Sequence, residues 1–218
     1  MIQLRLVDGD TPVRRVLAIG AHSDDIEIGC GATLLTLQRE RELEVTWVVL
    51  GAAGVREQEA RASSEAFLAS ASVRTLEFHG FRDGYFPYVG GEVKDVFEEL
   101  KARLDPDLIF THMRNDLHQD HRLVCELTWN TWRDHLILEY EIPKYDGDLG
   151  SPNVFVPIST ELAQEKVQLL ASGFGSQSGK HWFDEELFLG LMRVRGMEAR
   201  SPTRYAEAFV CRKLSLIP

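Results

Sequence analysis

The chain has 218 residues, 44% of them hydrophobic and 27% charged, enough apolar material for one sizeable core. A formal net charge of −10 disfavours broad contact with nucleic-acid phosphates, which are met by basic surfaces. Cys30, Cys125 and Cys211 are odd in number and far apart, which speaks against a disulfide framework and for a reducing, cytoplasmic setting. No apolar run is long enough to span a bilayer, and the opening MIQLRLVDGD lacks the basic-then-apolar order of a signal peptide.

Strands and helices alternate along the first part of the chain. Val13 to Ala21 reads as a first strand, and GCGATLLTLQREREL continues as a helix with Leu34, Leu35 and Leu37 on its apolar side. Glu44 to Gly51 is β-branched and apolar, hence a buried strand. REQEARASSEAFLASA is helical, and RTLEFHG is a third strand. Glu92 to Leu104 has helical periodicity and stops before Asp105-Pro106. DLIFTH is a fourth strand, and His121 to Trp132 a helix. This order predicts an α/β fold with a Rossmann-like, mostly parallel sheet flanked by helices. Beyond Arg133, HLILEYEIP and NVFVPI read as strands around the turn-rich KYDGDLGSP. Helices follow near Glu161–Leu170 and Glu185–Val194, and YAEAFVCRKL is a closing strand. No repeat or linker interrupts the chain, so a single domain over residues 1–218 is expected.

Two polar clusters stand where such a sheet binds ligands, at the carboxyl ends of strands. AHSDD places His22, Asp24 and Asp25 after strand one; THMRNDLHQDHR places His112, Asp116, His118, Asp120 and His121 after strand four. A catalytic zinc site has three protein ligands and a water, and a two-histidine, one-carboxylate set can be drawn from His22, Asp25 and His121. Of two adjacent aspartates, one can bind a metal while the other takes a proton from the metal's water. Alone, HSDD also suits a helix N-terminus and HQDH a solvated loop; two such clusters at strand ends favour one shared site.

AHSDDIEIGCGATL resembles the AHPDDE…GCGG signature of the LmbE-like (PIG-L) zinc-dependent N-deacetylases, and DLHQDHR resembles that family's second signature, an aspartate followed by HPDH. REQEARASSEAFLAS is similar to the family's R-x-x-E helix and YAEAF to its C-terminal strand. The resemblance implies zinc, or another divalent metal, on His22, Asp25 and His121. It implies Asp24 as general base and His118 as the residue that stabilises the oxyanion or protonates the leaving amine. Asp120 would hold a histidine in place. Asp83 and Arg56 would meet the substrate, although a turn before Gly84 and an Arg56–Glu59 surface pair account for them equally. Ser23 and Gln119 stand where the family has proline, and Ile26 where many members have glutamate.

The implied substrate is a small-molecule N-acetylated amino sugar or its conjugate, with no nucleic-acid partner and no transmembrane segment; a homo-oligomer is compatible with the sequence. Two other classes stay open: an amidase acting on a larger conjugate at the same metal, and a non-catalytic nucleotide-binding module. The second lacks a proper G-x-G-x-x-G turn. His112 is expected beside the ligands, His79 and His135 in structural roles, and Cys30 in the core. Glu207 is an odd charge in an apolar strand, supporting the site or making a salt bridge at the sheet edge.

Overall fold

A computed structural model describes residues 13–215, so the MIQLRLVDGD stretch lies outside the described residues. Among the described residues, seven strands form one sheet in the order β3-β2-β1-β4-β5-β7-β6. The strands are β1 (Arg15–His22), β2 (Glu44–Gly51), β3 (Val73–Phe78), β4 (Leu108–His112), β5 (Leu136–Tyr140), β6 (Val154–Ile158) and β7 (Tyr205–Cys211). The first five pair in parallel; β7 is antiparallel to both β5 and β6. The helices are α1 (Asp25–Glu40), α2 (Val55–Phe67), α3 (Gly90–Arg103), α4 (Gln119–Thr131), α5 (Thr160–Gly173) and α6 (Glu185–Glu198). The expected mixed α/β sheet flanked by helices is therefore what forms.

Alternation along β1 shows why it lies at the centre. Val16 and Ala18 face one core, with residues of α1, α2, α5 and α6; Leu17, Ile19 and Ala21 face the other, with residues of α3 and α4. A strand buried on both faces needs a continuous apolar run, which is how β1 reads in sequence. The strand order reverses between β1 and β4, leaving a crevice at their carboxyl ends. His22 closes β1 and His112 closes β4, so both polar clusters open onto that crevice.

Two expectations need correcting. Helix α1 starts at Asp25, four residues before the predicted GCG start, so the charged pair lies at the helix entrance. The glycines belong to its packed interior. A β-carbon at Gly29 would overlap the Tyr140 ring, and one at Gly31 would come within 2.6 Å of Phe67. Glu207 does not lie at the sheet edge either, because β7 runs between β5 and β6. Its carboxylate is buried, 2.6 Å from Lys166 Nζ, and accepts the backbone N–H groups of Ala32 and Thr33 in α1. Lys166 in turn donates to the Ile28 carbonyl at 2.6 Å.

Candidate metal centre and its surroundings

Three donor atoms converge in the crevice. His22 Nδ1 lies 3.1 Å from His121 Nε2 and 3.3 Å from Asp25 Oδ2, and His121 Nε2 lies 3.5 Å from the same oxygen. Ligands bound tetrahedrally at 2.0–2.1 Å are separated by about 3.3 Å, so this triangle has the dimensions of one face of a zinc tetrahedron. His112 and His118 lie within reach of overlapping donor groups but have other engagements. His112 Nε2 accepts the Ala21 N–H at 3.0 Å, and its ring stacks on His121 with centroids 3.9 Å apart. His118 caps α4, its Nδ1 accepting the Asp120 N–H at 3.3 Å. His22, Asp25 and His121 could hold a divalent metal, as could His22–His118–His121 or Asp25–His112–His121.

The electrostatics agree with that reading. Asp25 is buried, which alone would raise its pKa, but His121, His112 and His22 hold the carboxyl well below its ordinary range. Burial, helped by His112, pushes His121 down to about 4, leaving a neutral imidazole with a lone pair for a metal. Its Nδ1 faces Asp116 Oδ2 at 2.9 Å, which fixes the tautomer that presents Nε2. Burial opposes charge on His22, yet Asp25, Asp120 and Asp83 outweigh it and hold that imidazole well above its ordinary value. A cation at the triangle would take the proton's place.

Asp24 is different. An aspartate at a helix entrance usually caps it, but the Asp24 side chain makes no capping bond. One oxygen accepts from Arg56 Nη2 at 3.0 Å; the other is buried without a partner. Burial pushes its carboxyl up to about 6, against the lowering effect of Arg56. Such a group is ionised at neutral pH and still basic enough to take a proton. His118 has the complementary form. Burial and the neighbouring His22 lower its pKa, and with Nδ1 occupied as an acceptor the neutral ring carries its proton on Nε2.

Asp120 holds His22, its Oδ2 lying 3.2 Å from His22 Nε2. It also accepts the backbone N–H groups of Gly84 and Phe86 at 2.6 and 3.1 Å, tying the loop after β3 to the donor triangle. Gly84 has φ of 80°, so the Asp83-Gly84 turn requires glycine. Gln119 secures the same turn by donating to the Gly84 carbonyl at 3.1 Å, a bond that the family's proline could not make. Asp83 lies at the mouth, 75% exposed, with Oδ1 3.1 Å from His22 Nε2; that bond, with His22 and His118 nearby, brings its pKa down to about 2.

The Arg56–Glu59 surface pair does not form. Arg56 turns to Asp24, while Glu59 accepts from the backbone and hydroxyl of Ser176 at 2.8 and 2.6 Å. Cys30 is buried, whereas His135 lies with Asp105 and Asp134, away from the site. Asp116, one of the cluster after β4, faces His121 five residues on in α4 and gains its role there.

A profile of the PIG-L family, described as GlcNAc-PI de-N-acetylase, matches residues 17–132, the part of the chain that holds every residue named above for metal or proton chemistry. Among curated proteins none matches the chain in sequence. Solved structures share its fold. An N,N'-diacetylchitobiose deacetylase from Pyrococcus horikoshii is 21% identical with a TM-score of 0.67, over 91% of this chain and 84% of that one. A 4-carboxy-2-hydroxymuconate hydratase from Pseudomonas putida KT2440 is 18% identical with a TM-score of 0.71, over 94% and 98%. A zinc-inhibited form of teicoplanin deacetylase is 16% identical with a TM-score of 0.70, over 92% and 100%.

Proposed function

The chain belongs to the PIG-L, or GlcNAc-PI de-N-acetylase, family; on that premise we propose that it is a hydrolytic N-deacetylase that uses zinc to release acetate from an N-acetylated amino sugar or a conjugate of one. A single domain over residues 1–218 carries the reaction. The observation that supports this best is the pairing of a tetrahedral-sized His22–Asp25–His121 triangle with the adjacent Asp24, whose second carboxylate oxygen is buried and unpartnered. His22, Asp25 and His121 would hold the zinc ion, which when bound would lower the pKa of its water and polarise the amide carbonyl.

The remaining work falls to the chain itself. Arg56 orients Asp24 through one oxygen, and the other oxygen takes the proton of the attacking water. His118, neutral with Nε2–H exposed to the crevice, donates a hydrogen bond to the developing oxyanion, the interaction that generally dominates acyl transfer. Its lowered pKa makes it a poor acid carrier at neutral pH, so Asp24, having gained a proton, delivers it to the leaving nitrogen. Asp83 accepts a sugar hydroxyl at the mouth, where its exposure allows contact with substrate.

The fold alone does not choose the reaction, since a hydratase shares it. The deciding assay is acetate release from free and conjugated N-acetyl amino sugars by zinc-loaded protein and by Asp24→Asn. Loss of a general base lowers the rate by roughly 10²–10⁴-fold while the metal stays bound. Release of another acid would make the protein an amidase for larger conjugates. Equal acetate release by both proteins would remove Asp24 from the mechanism.

A further inference from the structure

The turn between β5 and β6 sends one residue into the metal centre from behind. Lys144 Nζ lies 2.9 Å from Asp116 Oδ2, the same oxygen that faces His121 Nδ1. Its ammonium also reaches Asp148 Oδ2 at 2.6 Å and the Ile142 carbonyl at 3.4 Å. Asp148 accepts the Leu117 N–H at 2.6 Å, and Asp116 Oδ1 accepts the His118 N–H at 2.8 Å. Lys144 is thus the cation between the Asp116 and Asp148 carboxylates, and Asp116 in turn meets the His121 ring in the first turn of α4 and the backbone N–H of His118 at its cap.

We propose that Lys144 is a positioning residue for the metal ligand His121, acting through Asp116; this rests on the reading of His22, Asp25 and His121 as the metal site. Without the ammonium, Asp116 and Asp148 face each other as like charges in a site sheltered from water, and attraction at this range gives way to repulsion. Asp116 then swings from His121 Nδ1, and the imidazole loses the partner that sets its tautomer and ring angle. Outer partners of this kind are worth 10–100-fold in metal affinity. The turn that carries Lys144 also exposes Tyr145 and Leu149, so this exposed segment is tied to His121 through Asp116.

The test is zinc affinity, measured by competition with a chromophoric chelator, on wild type and on Lys144→Met, Lys144→Gln, Lys144→Arg and Asp148→Asn, with His121→Ala as reference. Lys144→Met is expected to bind zinc about 10-fold more weakly, with Lys144→Arg within about 3-fold of wild type. Asp148→Asn removes a tether but keeps the Lys144–Asp116 pair, so it is expected to stay within about 3-fold. Nitrogen NMR of the zinc-free protein should show the His121 Nδ1–H tautomer in wild type and a tautomer mixture in Lys144→Met. Should Lys144→Met not fold, Lys144→Gln, which retains a donor without the charge, answers the same question. Unchanged affinity in Lys144→Met or Lys144→Gln overturns the inference. Equal weakening by Lys144→Met and Asp148→Asn also overturns it, because it would reduce Lys144 to a turn anchor. Wild type that binds no zinc, or His121→Ala that binds as tightly as wild type, would instead overturn the metal reading itself.

Discussion

Replacing Lys166 by methionine tests how α1 is held. The side chain is buried, and its ammonium makes two contacts of 2.6 Å, one to Glu207 and one to the Ile28 carbonyl. Removing one partner of a buried pair costs about 3–5 kcal/mol, because the other charge stays desolvated. Here the loss is tempered, since Glu207 keeps the N–H groups of Ala32 and Thr33, at 3.0 and 2.7 Å. The expected loss is therefore about 3 kcal/mol, which in a domain of this size lowers Tm by roughly 6–12 °C. Urea unfolding followed by tryptophan fluorescence measures it, with Trp47 and Trp132 buried as reporters. The Lys166→Met/Glu207→Gln double variant should recover part of the loss, because no lone buried charge remains. A loss below about 1 kcal/mol in the single variant, or strictly additive losses in the double, would show that the pair does not brace the helix.

Three further outcomes follow from the same geometry. Gly29→Ala places a methyl group inside the Tyr140 ring and should destabilise the fold by about 1–3 kcal/mol; a wild-type urea midpoint would contradict the packing described for α1. His118→Ala should keep its zinc, measured by metal analysis, and lose about 10²–10³ in kcat, the usual effect of removing an oxyanion donor; zinc loss would instead make His118 a ligand. Burial pushes the thiols of Cys30 and Cys125 far up, so a thiol reagent at pH 8 should modify at most Cys211 in the folded chain and all three after denaturation. Rapid native modification of Cys30, read by peptide mass mapping, would mean that α1 opens.

Much of this architecture was legible because local pattern and tertiary demand agree. The run Val16–Gly20 reads as a two-sided buried strand, and charge placed immediately after it marks a ligand edge. Where they disagree, the sequence misleads. Asp24 and Asp25 suit a helix entrance, but Gly29 and Gly31 lower helix propensity; α1 runs through both, and a β-carbon at either would overlap Tyr140 or Phe67. Arg56 offered an obvious partner three residues away, but the buried Asp24 carboxylate is the stronger attractor. Lys144 and Asp116 are 28 positions apart with no periodic relation, and nothing local announces their contact. The insertion of β7 between β5 and β6 was hidden for the same reason: neighbouring strands in sequence normally pair, and only long-range packing separates them.

That insertion bears on how the protein emerges from the ribosome. Strands β1 to β5 and the donors His22, Asp25 and His121 are all made by the time Tyr140 is added, so the crevice can take shape early. The outer edge of β5, however, waits for Tyr205–Cys211, which arrive several seconds later at synthesis rates of roughly 5–20 residues per second. Throughout that interval the nascent sheet presents an unpaired edge to its neighbours on the polysome. Crowded expression should then expose the nascent chain to self-association, and fewer ribosomes per message or a holdase chaperone should relieve it.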